Sequence, residues 1–286
     1  RRISAERIRT ELVKLLLSDS PDKLRTVYEE GLTAVFLPEF DRCMETAQNH
    51  PHHRFSVGEH TLCALTHTKK DAVLRLSVLL HDMAKPLVKT TDTSGVDHFH
   101  GHAAKGEELS RDILRRLRFD NETIRTVSLL VGAHDVKLPA QKRAMRRLMH
   151  RIGAENVPRL LEIKRADTLA QSGYQREEKL AELAALSDIY KEVTEENACV
   201  GLRELAVTGR DLLAAGIAPG KELGDILQAM LEDVLDTPEH NEKAYLLGRL
   251  AAYRQTGGGT AQSGKDKEER TQGAGEHADV RSPSLH

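Results

Sequence analysis

Apolar residues recur along this chain with the period of a helix and almost nowhere with that of a strand. In ISAERIRTELVKLLL, Ile8, Leu12, Leu15 and Leu16 fall at i, i+4, i+7 and i+8, and Ser4 is placed to cap the helix they imply. Ser20-Pro21 reads as the cap and first position of a second helix, with Gly31 as its end. Further stripes predict helices near 56–68, 71–82, 102–118, 121–134, 140–151, 155–171, 175–195, 209–215, 221–235 and 239–253. KTTDTSGVDHFHG, Lys89 to Gly101, departs from this pattern. Its β-branched residues around a glycine predict a loop or small hairpin. There is no internal repeat and no alternation of strands with helices, so the expected fold class is all-α.

Two further limits come from the bulk of the chain. The net charge is −2, so any nucleic-acid contact must rest on local basic faces. No segment is apolar for the length of a membrane span, and no membrane partner is expected. Cys43, Cys63 and Cys199 form no CxxC pattern, which fits a reduced, cytoplasmic protein. The chain opens Arg1-Arg2 without Met, as expected of a piece of something longer. Residues 255–286 are rich in Gly, Ser and charge, and read as a disordered tail.

Six residues stand on or beside strongly apolar segments, an expensive place for a charge. His60 lies in FSVGEHTLCAL, His81 and Asp82 end the run VLRLSVLL, His102 lies in FHGHAAKGEEL, His134 ends VSLLVGAHD, and Asp167 lies in EIKRADTLAQ. A buried carboxylate persists only if it is paired, hydrogen-bonded or bound to a metal. Imidazoles with carboxylates form a ligand set for Mn²⁺, Fe²⁺, Co²⁺, Ni²⁺ or Zn²⁺, with Mg²⁺ admissible. Such an ion makes a hydrolytic centre, because it acidifies water and neutralises phosphate. Each of these histidines taken alone is more often a capped or solvated side chain; it is the set that points to a metal. His98 and His100 show no matching pattern.

Two other segments suggest phosphate. In KRAMRRLMHRI, Met145, Leu148, Met149 and Ile152 share one face, while Lys142, Arg143, Arg146, Arg147 and Arg151 crowd the other. In LLAAGIAPGKELGDIL, Pro219-Gly220 makes a turn, and a helix then begins with free N–H groups beside Lys221. A solvated face and an ordinary helix–turn–helix packing account for these two features about as well.

The order His60, His81-Asp82, Asp167 resembles the HD superfamily of metal-dependent phosphohydrolases over residues 51–172. That resemblance makes His102 and His134 extra ligands of a binuclear site. It makes Asp82 a catalytic ligand shared by both ions, and Lys85, three residues later, a catalytic contact to substrate phosphate. A wider resemblance runs from about residue 2 to 250. It is carried by ISAERIRTEL, LPEFDRCMETAQNHPHHRFSVGEHTLCAL, LLHDMAKP and LAVTGRDLLAAGIAPGKELGDIL. These segments are similar to the C-terminal two-thirds of bacterial CCA-adding tRNA nucleotidyltransferases that carry an HD region. The resemblance implies a helical RNA-binding neck at 1–50, the HD domain at 51–172, and a helical tRNA-binding body and tail at 173–254. It places Arg7, Lys142, Arg143, Arg146, Arg147, Gly220 and Lys221 on RNA. The family's polymerising head, with its Mg²⁺ and its ATP and CTP sites, is not represented: residues 1–286 hold no Asp-x-Asp. A stand-alone HD phosphohydrolase acting on nucleotides, and an RNA-binding module with an inert metal or none, are the rival expectations.

Overall fold

A computed structural model describes residues 3–49 and 55–257. The helices run α1 Ala5–Leu17, α2 Leu24–Glu29, α3 Thr33–Phe36, α4 Pro38–Glu45, α5 Val57–Thr66, α6 Ala72–Leu80, α7 Lys85–Val88, α8 His102–Arg116 and α9 Asn121–Ala133. They continue as α10 Lys142–Ile152, α11 Val157–Ala170, α12 Arg176–Glu195, α13 Gly209–Ala214, α14 Lys221–Asp236, α15 Lys243–Gly248 and α16 Leu250–Gly257. The only strands among the described residues are β1 Thr90–Thr91 and β2 Asp97–His98, an antiparallel pair within the expected hairpin segment. The fold is all-α. It divides into a compact unit ending at Val200 and a second beginning at Gly201. The first unit thus runs past residue 172, because α12 packs on α11 and α10.

In the first unit α6 is the central element. Its residues from Leu74 to Leu80 are all buried, and α1, α5, α9 and α11 pack around it. A helix that is apolar on every side belongs inside a protein. The charged exception on α6 is Arg75, which is satisfied by neutral carbonyls. Its guanidinium donates to Thr68 O at 2.9 and 3.1 Å, to Ser18 O at 2.7 Å, and to Leu16 O. The helix starts at Asp71, whose carboxylate accepts from the Leu74 N–H, as Ser4 Oγ accepts from the Arg7 N–H at the start of α1.

Two expectations need correction. A single helix over 239–253 does not form. Pro238 starts a 3-10 turn, and the Asn241 side chain leaves the helical path to bond Ala206 N and Glu204 O. A second break falls at Gly248-Arg249, where glycine weakens the helix. Residues 255–257, expected in the tail, are instead helical, because α16 continues to Gly257. Residues 258–286, where the rest of the expected disorder falls, lie outside the described residues, as do His50, His52 and His53. In the second unit, Ile226, Met230, Leu231, Val234 and Leu235 of α14 form the core with Leu212 and Leu246.

Glycine matters most at Gly58, where α4 and α5 cross. A Cβ there would lie 2.7 and 2.8 Å from the Met44 backbone N and Cα, which cannot rotate away. Gly58→Ala should therefore destabilise the first unit by about 2 kcal/mol or more, since α4 must be pushed off α5. Urea unfolding followed by circular dichroism measures this. An unchanged midpoint would show that the crossing has slack.

Candidate metal centre

The central helix delivers the site. His81 is the C-cap of α6 and Asp82 follows it, so both leave α6 inside the core. His60 comes from the middle of α5, His134 is the C-cap of α9, and Asp167 sits in α11. His102 opens α8 directly after Gly101, whose left-handed φ of +77° turns the chain out of the hairpin segment. All six ligand candidates are brought together. His60, His81 and Asp82 are only 1–2 % exposed.

The six form two sets that share Asp82. Potential ligand atoms of His60, His81, Asp82 and Asp167 lie within 4.8 Å of one another, and so do those of Asp82, His102 and His134. Asp82 Oδ2 is 3.2 Å from His81 Nε2 and 3.9 Å from His60 Nε2. Its Oδ1 is 3.5 Å from His102 Nε2 and 3.7 Å from His134 Nε2. Asp167 Oδ1 lies 2.7 Å from His60 Nε2 and 3.6 Å from His81 Nε2.

The ring orientations are fixed from behind. Nδ1 of His81, His102 and His134 lies 2.7, 2.8 and 2.6 Å from the carbonyls of Val78, Phe99 and Val131. A carbonyl only accepts, so each Nδ1 carries the hydrogen, and a neutral ring then turns its Nε2 lone pair inward. Their Nε2 atoms thus face one another and the Asp82 oxygens as acceptors, whereas His60 Nε2 is hydrogen-bonded to Asp167 Oδ1. His102 Nε2 is 3.1 Å from His134 Nε2. His81 Nε2 and Asp82 Oδ2 are buried without a hydrogen-bond partner among the described residues. Lys85 Nζ does approach Asp82 Oδ2 at 2.8 Å, but as an ion pair without hydrogen-bond geometry. Acceptors buried in this arrangement need either protons or a cation between them. The donor set of imidazoles and carboxylates fits a divalent metal of the Mn-to-Zn series.

The electrostatics show the same demand for positive charge at the centre, which a proton on His81 meets when no ion is bound. Burial opposes a charge on His81, yet Asp82 and then Asp167 push it up to about 10. Burial would raise Asp82, but the charges of His81 and Lys85 hold it well below the usual carboxylate range. Asp167 is held low in the same way by His60 and His81. Burial lowers His102 in spite of Asp82.

The centre forms the floor of a cavity of about 890 Å³. Lys85 is buried there, with its amine 3.0 Å from Gln48 Oε1 and over the ring of Phe99. Several cavity residues carry no clear mark in the sequence. Gln171 donates to Asp167 Oδ2 at 2.9 Å, and Lys179 donates to Gln171 Oε1 at 2.7 Å. The i+4 spacing from Asp167 to Gln171 is a usable signal; nothing local marks Gln48 or Lys179. His98 and His100, which match no pattern in the sequence, stack at the cavity wall with centroids 5.6 Å apart.

The hairpin beside the cavity is pinned by Asp97. Its carboxylate accepts from Asn49 N–H at 2.8 Å and Thr91 Oγ1 at 2.7 Å, and pairs with Lys89 at 2.8 Å. These contacts, the Asn49 N–H foremost, hold its pKa down at about 2.

The residues expected on RNA are spread over both units. Arg7 is exposed on α1, and Gly220 and Lys221 are exposed at the start of α14, which has no side-chain cap. The basic face of α10 needs correction at Arg146, which is buried. It lies one turn after Lys142, whose amine pairs with Glu192 at 2.9 Å and Glu196 at 2.6 Å on α12 and its C-cap. That flank of α10 is therefore covered by α12, and Arg143, Arg147 and Arg151 form the exposed stripe.

Residues 99–250 match the family model described as tRNA nucleotidyltransferase domain 2. The chain belongs to the tRNA nucleotidyltransferase family. Residues 1–44 match a second model, "Probable RNA and SrmB-binding site of polymerase A". The stretch carrying His60, His81 and Asp82 lies between the two matches. Among curated tRNA nucleotidyltransferases, the chain is 33% identical to the CC-adding tRNA nucleotidyltransferase of Thermus thermophilus, over 79% of the chain and 52% of that protein. It is 34% identical to the A-adding tRNA nucleotidyltransferase of Deinococcus radiodurans, over 79% and 54%. It is 31% identical to the multifunctional CCA protein of Actinobacillus pleuropneumoniae, over 45% and 33%. The chain spans about half the length of the first two relatives. No helix among its described residues is long and apolar enough to cross a membrane.

Asp82→Ala should abolish Mn²⁺ uptake by both ligand sets, whereas His102→Ala should spare the set built on His60, His81 and Asp167. Metal content after gel filtration reads this, and full retention by Asp82→Ala would remove the centre. For Asp97, the depressed pKa means its stabilisation is present above the unfolded carboxyl value of about 4. It is lost as pH falls from there through about 2. Asp97→Asn should be less stable than wild type at pH 7, with the gap closing over that window in urea titrations.

Proposed function

We propose that this chain is the helical, tRNA-holding part of a nucleotidyltransferase that builds or repairs the tRNA 3′ end. We propose further that its buried histidine–aspartate centre is an HD-type divalent-metal site that hydrolyses phosphoesters. The observation that carries the second statement is Asp82, which turns one oxygen to each of two histidine sets at the floor of a lysine-lined cavity. Polymerisation with ATP, CTP and Mg²⁺ is assigned to a head domain that residues 1–286 do not represent.

In this reading His60, His81, Asp82 and Asp167 hold one ion, and Asp82 is shared with a second held by His102 and His134. A bound divalent ion supplies Lewis acidity and neutralises phosphate charge. The protein's own groups do the rest. The carbonyls behind the imidazoles keep the ligand nitrogens aimed, which tightens metal binding. Gln171 holds Asp167 in place. Lys85 braces Asp82 and leaves positive charge at the floor for the developing charge on a phosphoryl group. Burial of the floor excludes bulk water and strengthens each of these interactions.

RNA is held through its backbone in this proposal, by Arg7, by the stripe of Arg143, Arg147 and Arg151, and by the start of α14 with Lys221. Support comes from the matched RNA-binding model over 1–44 and from the exposure of these cations. Such binding depends on salt and little on sequence.

Hydrolysis of bis-p-nitrophenyl phosphate and 2′,3′-cyclic nucleotides with Mn²⁺ or Ni²⁺ tests the centre. Wild type should turn over and Asp82→Asn should lose about a hundredfold or more; an inactive, metal-loaded wild type would leave a binding module. Arg143→Glu with Arg147→Glu should weaken tRNA binding and flatten the slope of log K against log salt, by about one for each phosphate these arginines neutralise. Unchanged affinity would assign that stripe to solvent.

A further inference from the structure

The cavity is larger than one phosphate group needs, and its cations are not all at the floor. Residues 164, 167, 168 and 171 all line it, at the i, i+3, i+4 and i+7 spacing of one face of α11. Asp167 belongs to the metal centre. Lys164 lies one turn before it, and Gln171, one turn after it, holds Lys179. Lys137, exposed just beyond His134, completes the wall. Lysines therefore flank the centre on both sides along the helix.

These lysines exceed what the floor requires. The two charges of Asp82 and Asp167 would be balanced by one divalent ion alone, before Lys85 is counted. Lys164 makes no ion pair among the described residues. An ammonium has three donors, and its one described acceptor is Val136 O at 2.9 Å. Burial lowers its pKa in spite of Asp135 and Asp167, so a further anion beside it would make the charge easier to hold. Asp135 and Glu182 share the wall, so the lysines are not a uniform positive patch. Leu138, Pro139, Leu183 and Leu186 add an apolar side, and about 890 Å³ lies in the range that takes a nucleotide-sized ligand.

We propose that Lys164, Lys179 and Lys137 form a second anion subsite, which takes a second phosphate group of the same substrate molecule. The proposal rests on reading the floor as a phosphoester site. It names the substrate class as molecules with two phosphates, either adjacent in a polyphosphate or spaced along an oligonucleotide.

Hydrolysis-resistant phosphonates test this by calorimetry on the full chain loaded with Mn²⁺. Methylphosphonate reports the floor. Methylenediphosphonate and propane-1,3-diphosphonate carry adjacent and spaced second anions. Wild type should bind at least one diphosphonate about tenfold more tightly than methylphosphonate, as expected for one added charge-assisted contact. Lys164→Gln should lose that advantage while keeping its metal content and methylphosphonate affinity. Comparing variant with wild type cancels chelation in solution. A gain for the methylene compound identifies a polyphosphate chain, and a gain for the propane compound identifies spaced phosphates. If Lys164→Gln loses metal or melts early, its amine serves to hold the segment after His134, and Lys179→Gln decides by the same ratio. The proposal is overturned if neither diphosphonate gains, or if the gain survives both substitutions. If wild type takes neither metal nor methylphosphonate, the phosphoester reading fails separately, and lysine-dependent diphosphonate binding alone judges the wall.

Discussion

Everything near the site depends on one constraint: a helix buried on every side ends by placing an imidazole and a carboxylate in the protein interior. Helix α6 has no solvent face to which His81 and Asp82 could turn. The surrounding helices must therefore supply partners, and they do so at matching depth, with α5 bringing His60, α9 His134 and α11 Asp167. Asp82 carries the most strain of this kind, since both its oxygens face imidazoles and only Lys85 among the described residues comes to it as an ammonium. Protons on the imidazoles, as the raised His81 indicates, or a bound cation relieves that conflict with the residues already in place.

Much of this is legible in the chain because helices announce themselves locally. The apolar period, Ser4 as a cap, and the hairpin between Lys89 and Gly101 are written in adjacent residues. The ligand set is legible for a related reason: an ionisable residue at the end of an apolar run is conspicuous. What stays hidden depends on contacts between distant segments. Arg146 has the spacing of an outward residue, and only the packing of α12 covers it. Asn241 breaks a helix by bonding Ala206 and Glu204, some 35 residues back in the chain. Gln48 and Lys179 reach the site from segments whose sequence carries no mark of it. Gly58 looks like an ordinary glycine until Met44 is placed against it.

Membership of the tRNA nucleotidyltransferase family and the buried centre describe two different properties of the chain. The matched models cover α1 to α4 and the region from residue 99 to 250. Half of the centre's ligands, His60, His81 and Asp82, fall between them. The other three candidates, His102, His134 and Asp167, lie inside the second match, so the centre straddles the matched and unmatched parts of the scaffold.

Arg75 has a consequence for how such a protein is handled. It joins the end of α1 to α6 by hydrogen bonds to carbonyl oxygens alone, while the Asp19 carboxylate acts on it only from a distance. Added salt screens attraction between exposed charges but does little to a buried cation held by peptide dipoles. The joint between the first helix and the core should therefore depend little on ionic strength. Salt concentrations that strip a polyanion from the surface would leave this seam closed, and the protein could be freed of bound nucleic acid without being loosened.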